Sequence, residues 1–543
     1  MVFARRSTTL LAAIIASCAM VLSLTACTSD NKTVVDGQTT VTSNSAGGVA
    51  VFTPSDGITL NQQMPLNKWA KLVPDLTKAL VDAGFKKGDI DHTTSDSLDK
   101  QSRAIQDFVV DHLSNNTTDD SGIAIAPDNM TLLVAPVVEA DASTRQYGDY
   151  VSQNLSTNDV TDGEATSDGE SSEDDSSKDD SSNTESDSTA SDEQAQAVDR
   201  LVSSLKLAKE SGMHVVLLGN SIEGYKPDAF VKFSDAQTIG KLQAEKMVSK
   251  LKLDKASKDN PKYIEVLLPY TAVDEKGNVN DSTFAQEAFR GIWQVLGSYY
   301  QKGVVESPSG TLDGKSTEND WQAVAYDAAK EGSTAKVLDK RLAKTDGQST
   351  LTRIDGIITM NDYIASEVVK ELDDLGYTGS AADINPQITI SGIVGNITGK
   401  KDLSRDAVPD PIKSPENDNA NDSSSSDDDA DEDTSASDKD RDSQWPLVTG
   451  YGAYVSNIPS IVNGKQWMTG MEDRQTIATD IAQACAKLNK DEALNSMPSI
   501  RNSEVGGVKK IPTISEPLLA VSASNLKSAL IDPGYISLAD AGL

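Results

Sequence analysis

Cysteine is nearly absent from this chain of 543 residues, which has only Cys18, Cys27 and Cys485. Histidine is as scarce, and His92, His112 and His214 make no HExxH-type metal spacing. There is no Walker loop, no GxSxG nucleophile elbow, and no carboxylate pair that spacing singles out. Neither a metal nor a cofactor is expected, and no catalytic residue can be named. Positive charge is also short: 49 lysines and arginines face 83 aspartates and glutamates, for a formal charge of -34. That balance makes nucleic acid a poor partner. One glycine pattern, Gly450-Tyr451-Gly452, follows a strand-like Pro446-Leu447-Val448, but Val455 stands where a dinucleotide loop needs its third glycine.

Long apolar runs are confined to the N-terminus. Arg5 and Arg6 precede Leu10–Leu24, interrupted only by Ser17, Cys18 and Ser23, and the run ends in Leu24-Thr25-Ala26-Cys27. The run is too short for a membrane span and reads as the core of a secretory signal, residues 1–26. The four-residue ending matches a bacterial lipobox, so Cys27 is expected to be lipidated and to hold the protein on the outer side of the cell membrane. Two acyl chains suffice for stable anchoring, and polar residues 27–47 suit a tether. Once Cys18 leaves with the signal, Cys485 is the one thiol outside the anchor. No disulfide can form within the fold, and Cys485 reads as a small core residue in an apolar helix.

The negative charge is concentrated. Residues 159–193 hold 14 acids against one lysine, and residues 416–442 hold 12 acids against one lysine and one arginine. Such Ser/Asp/Glu tracts bury too little apolar surface to offset ordering entropy. They are expected to be disordered inserts, at about 156–195 and 402–443. Between them, short apolar runs alternate with helical patterns. Strands are expected at Gly48–Phe52, Met130–Ala135, His214–Leu218, Tyr263–Leu268, Gly356–Thr359 and Ile388–Ser391. Helices are expected at Leu66–Ala83, Asp99–Leu113, Val198–Lys209, Ile239–Leu251, Phe284–Gln301, Ala365–Leu375, Ser456–Val462 and Thr476–Leu488. The alternation predicts an α/β fold with parallel sheets covered on both faces, and the length suits two lobes.

Several segments resemble the D-xylose-binding and multiple-monosaccharide-binding proteins of sugar ABC importers, which have the type I periplasmic-binding fold. They are Gly212–Asn220, the stretch Phe233-Ser234-Asp235-Ala236-Gln237-Thr238-Ile239-Gly240-Lys241-Leu242-Gln243-Ala244, Ile357–Asp362, Ile461–Thr469 and Ile511–Tyr535. The resemblance runs from Gly48 to Leu543 outside the two tracts, carried by the order and spacing of the segments. It implies two Rossmann-like lobes joined by a multi-strand hinge. Residues 48–235 and 469–515 would form the first lobe, and 236–468 with 516–543 the second. It also implies a monomeric, non-enzymatic solute-binding lipoprotein that takes a small-molecule ligand, a sugar, between its lobes and delivers it to an ABC permease. By this analogy Lys68, Trp69, Asn220, Asp235, Trp321, Asn361, Asp362 and Tyr451 stand at the cleft. Core packing is the other role open to each tryptophan, and helix capping the other role open to Asn361-Asp362. Four positions depart from the family pattern. Asn220 replaces an arginine, Phe284 an asparagine, and Tyr451-Gly452 a Gln-Asp pair. Glu472 falls near a lysine position. An envelope sensor or scaffold with an altered cleft, or less readily a hydrolase, are the alternatives. A filled, apolar cleft would favour the scaffold.

Overall fold

The structure is a computed structural model that describes residues 46–55, 65–115, 125–138, 144, 146–151, 153–156, 185–273, 282–328, 330–343, 351–382 and 445–543, with the pairs 34–35 and 38–39. The signal segment, Cys27, the second acidic tract and the strand expected at Ile388–Ser391 lie outside the described residues, as does the first tract up to residue 184. The chain divides into two units, Met1–Ser45 and Ala46–Leu543. In the first, Val34–Val35 pairs antiparallel with Gln38–Thr39.

The second unit is built on two largely parallel sheets. Strands β1 (Gly48–Pro54), β2 (Ile90–Ser95), β3 (Met130–Val134), β4 (His214–Leu218) and β5 (Ala229–Lys232) lie in the order β2-β1-β3-β4-β5. All their pairings are parallel; Val51, for instance, lies between His92 and Leu133. β1, β3 and β4 are mostly apolar and buried at nearly every residue because helices cover both faces. On one face α1 (Trp69–Asp82) presents Leu72, Leu76 and Leu80 at helical spacing, beside Ile477, Ile481 and Cys485. On the other, α2 (Leu98–Asn115) and α3 (Glu185–Glu210) bring Ile105, Val109, Leu201 and Leu205. α3 starts earlier than the expected Val198, inside the first acidic tract. No apolar alternation marks β2 in the sequence, because its exposed Asp91, His92, Thr93 and Thr94 face solvent at the edge of the sheet.

The second sheet uses β6 (Lys262–Val266), β7 (Val305–Glu306), β8 (Gly356–Ile358) and β9 (Leu447–Thr449) in the order β7-β6-β8-β9, again all parallel. Helix α4 (Ala236–Leu251) and helix α5 (Thr283–Gln301) pack tightly on one face. A Cβ on Gly240 would lie 2.2 Å from the Ala288 carbonyl oxygen, and one on Gly291 2.0 Å from that of Gln237. Helix α6 (Asp362–Asp374) covers the other face with Ile364, Val368 and Leu372.

The two sheets share one winding, the second strand placed outside the first and the later strands on the other side. The chain passes between them three times: after β5, after β10 (Met468–Met471), and after the last strand of the first sheet. Beyond β10, α7 (Arg474–Leu488) and the hairpin β11 (Ile500–Val505) and β12 (Val508–Ser515) return to the first sheet, where β12 runs parallel to β5. β13 (Leu519–Ser522) then pairs antiparallel with β10. The expected α/β architecture, two Rossmann-like lobes with parallel sheets and a multi-strand connection, is the one observed. No helix among the described residues is long and apolar enough to cross a membrane.

Candidate functional site

In an open parallel sheet the ligand crevice lies outside the strand C-termini, where the strand order reverses. Here that is between β1 and β3 in one lobe and between β6 and β8 in the other. The chain leaving β1 enters α1 through Asn67 and Lys68, and the chain leaving β8 enters α6 through Asn361. Both meet a single stretch, Gln146–Val151, which follows β3.

This stretch is bonded to both lobes. On the first-lobe side the Asp149 amide donates to the Asn67 carbonyl at 2.8 Å. The Asp149 carboxylate accepts from Lys68 Nζ at 2.8 Å and from the Trp69 amide at 3.1 Å, at the start of α1. The Tyr150 hydroxyl donates to the Lys68 carbonyl. On the second-lobe side Asn361 Nδ2 donates to Gln146 Oε1 at 3.1 Å, and the Tyr454 hydroxyl donates to the Gln146 carbonyl at 2.7 Å. The aromatic rings divide in the same way. Tyr150 stacks on Phe233 at 4.9 Å and meets Trp69 edge-on at 5.1 Å, within the first lobe's core. Tyr147 packs on Phe284 at 4.8 Å and near Tyr451 at 6.3 Å, within the second lobe's core. Both tyrosines are 1 % exposed. Gly148 between them has φ +96°, and a Cβ there would lie 2.6 Å from the Asn67 carbonyl oxygen, so only glycine fits the turn.

The residues expected at the cleft therefore split by role. Lys68, Asn361 and Tyr451 touch the stretch directly, but Asn361 is also the N-cap of α6, accepting from the Ile364 amide at 2.9 Å. Trp69 is a core residue, 2 % exposed between Tyr150 and Phe233, so its indole is not open to a sugar face. Asn220 acts as a clamp: its Oδ1 accepts from the Gln153 amide at 3.0 Å and its Nδ2 donates to the Pro136 carbonyl at 2.9 Å. Those two partners flank the stretch in sequence. Asp235 caps α4 through the Thr238 amide at 2.7 Å and pairs with Lys232 at 2.8 Å. Trp321 stands apart, edge-on to Tyr270 at 5.2 Å, where it lines an open depression of about 390 Å³ with Gln322, Tyr326 and Asp327.

Asp362 requires a larger correction. Expected as a solvent-facing hydroxyl acceptor, it is fully buried. Its Oδ1 accepts from Gln466 Nε2 at 2.7 Å, and its Oδ2 from the Thr469 hydroxyl at 2.8 Å and the Tyr454 amide at 2.9 Å. A carboxylate with both oxygens committed inside the lobe has none for a ligand. Burial raises its carboxyl to about 6, against the lowering effect of those bonds. Glu472, next to β10, is likewise buried and pushed up by burial to about 7, while it accepts from the Ser234 amide at 2.5 Å. Tyr451 bonds the Ser234 hydroxyl and lies 3.5 Å from Glu472 Oε1. Glu472 and Ser234 thus tie two of the three interlobe crossings together.

Gln146, Tyr147, Asp149, Tyr150 and Tyr454 were not singled out by the sequence. The signal for Tyr147, Asp149 and Tyr150 is a Tyr-Gly-Asp-Tyr run between a strand and an acidic tract.

No protein-family model and no curated protein matches the chain. Among solved structures it is similar to an ABC transporter solute-binding protein from Clostridium phytofermentans with bound β-D-glucose (TM-score 0.44, 16 % identity, covering 91 % of this chain and 99 % of that one). It is also similar to a carbohydrate transporter solute-binding protein from Chloroflexus aurantiacus in complex with D-glucose (0.43, 18 %, 92 % and 98 %). A third is a periplasmic ribose ABC transporter protein from Conexibacter woesei (0.42, 12 %, 90 % and 96 %).

Proposed function

We propose that the chain is an exported solute-binding protein, anchored through Cys27, that works by closure of two lobes around a small hydroxylated solute and hands it to a membrane permease. One observation carries the reading: two sheets of the same winding present their reversal points to a single crevice, joined by three crossings that can flex as a hinge. Closure of this kind needs no covalent chemistry.

A second reading is favoured by one specific feature, the occupation of the crevice by Gln146–Val151. In it the protein keeps the fold but serves as an envelope sensor or scaffold. A thermal-shift screen of pentoses, hexoses and polyols separates the two. Solute carriage expects at least one compound to raise the melting temperature, since a ligand at 100 times its Kd adds about 2.7 kcal/mol. A flat response across the screen favours the scaffold. The anchor is tested separately: Cys27→Ser should shift the protein out of the membrane fraction, and unchanged fractionation would refute lipidation.

A further inference from the structure

We infer that residues 146–151 are a resident occupant of the interlobe crevice, an internal ligand that holds the lobes closed without any solute and that an external solute must displace. The inference rests on the lobe-closure reading above and adds its regulation.

Three independent features carry it. The first is position, because the stretch occupies the strand-order reversal of both sheets, the place where such sheets take ligands. The second is the two-sided bonding. Gln146 and Tyr147 engage Asn361, Tyr454, Phe284 and Tyr451 of one lobe, and Asp149 and Tyr150 engage Asn67, Lys68 and Trp69 of the other. Opening the hinge has to break one set or the other. The third is that side chains from separate elements pack against the stretch or hold its flanks and its neighbours. Asn220 clamps the flanks of the stretch, while Phe284 and Tyr451 receive Tyr147. Glu472 holds Ser234 where Tyr451 bonds it.

The test reads closure directly and needs no ligand. Fluorophores are placed at Asp96→Cys and Gln322→Cys, exposed positions beyond the strand C-termini of the two lobes. The background carries Cys18→Ser and Cys27→Ser, and Cys485 is buried and stays unlabelled. Energy transfer in the ligand-free chain should report one short distance. The double variant Gln146→Ala/Tyr147→Ala removes the Asn361 bond and the ring contacts on the second-lobe side, and Asp149→Ala/Tyr150→Ala removes the Lys68 and Trp69-amide bonds and the ring contacts on the first-lobe side. Each should populate a longer distance while keeping the far-ultraviolet circular dichroism of the parent. A long distance in the parent, or the parental distance in both variants, overturns the inference. A sugar screen that is negative for parent and variants alike would instead count against solute carriage and leave the closure result standing.

Discussion

Replacing Asp362 by alanine should destabilise the protein, and by an amount that depends on pH in an unusual direction. The substitution removes the acceptor of the Tyr454 amide, whereas Thr469 and Gln466 retain longer bonds to Gly470 and Met468. An orphaned buried donor costs about 1–3 kcal/mol, and the space left by the carboxylate adds to that. Against this, wild-type Asp362 is itself under tension at neutral pH. Burial lifts its folded-state value to about 6, above its ordinary 3.8. Proton binding therefore favours the folded state fully below about 4, and that stabilisation is lost as pH rises through about 6. The whole difference is about 3 kcal/mol, of which about 2 kcal/mol falls between pH 4.5 and pH 7.5. Alanine cannot show this dependence. The variant's loss should thus be about 2 kcal/mol greater at pH 4.5 than at pH 7.5, measured by urea unfolding of both proteins at both values. Equal losses at the two values would refute the assigned burial. A loss below about 1 kcal/mol at both would refute the hydrogen-bond assignment as well.

Three further outcomes follow from the packing. Gly291→Ala should cost about 1–3 kcal/mol by forcing α4 and α5 apart, seen as a lowered urea midpoint; an unchanged midpoint would mean the helices can separate freely. Cys485 should react with a thiol reagent only as fast as the fold opens, because it is buried in the core and burial pushes its thiol up; rapid reaction in the native protein would contradict that placement. Asn220→Ala should cost about 1–3 kcal/mol and loosen the stretch it clamps, read as faster amide exchange at Gln153 and Asp149, while unchanged exchange at both would remove Asn220 from that role.

Much of the fold was legible because it is written in periodic patterns. The runs at Gly48–Phe52, Met130–Ala135 and His214–Leu218 are apolar on both faces, which only a covered parallel strand requires, and each appears where expected. The edge strand Ile90–Ser95 was not legible, since an edge needs no apolar alternation and its residues are polar. The site was legible in part. Of the residues expected at the crevice, Lys68 and Asn361 bond the stretch Gln146–Val151, whereas Trp69 is buried in the core and Asp235 caps a helix. The contacts of Asn220, Phe284 and Tyr451 with this part of the chain were not legible, because the fold alone makes them, around a stretch that no periodicity marks. Asp362 misled for a related reason. A carboxylate at a strand C-terminus looks available, and only the positions of Gln466, Thr469 and Tyr454 show that it is already saturated.

The central claim is that the crevice is filled by the chain's own residues in the ligand-free protein. Hydrogen exchange at the Tyr147 and Asp149 amides tests it most directly, because these donate to the Thr144 and Asn67 carbonyls in the closed arrangement. In the ligand-free chain both should exchange orders of magnitude more slowly than an unstructured peptide of the same sequence, and a displacing solute should speed both. Exchange at the unstructured rate before any solute is added would contradict the account.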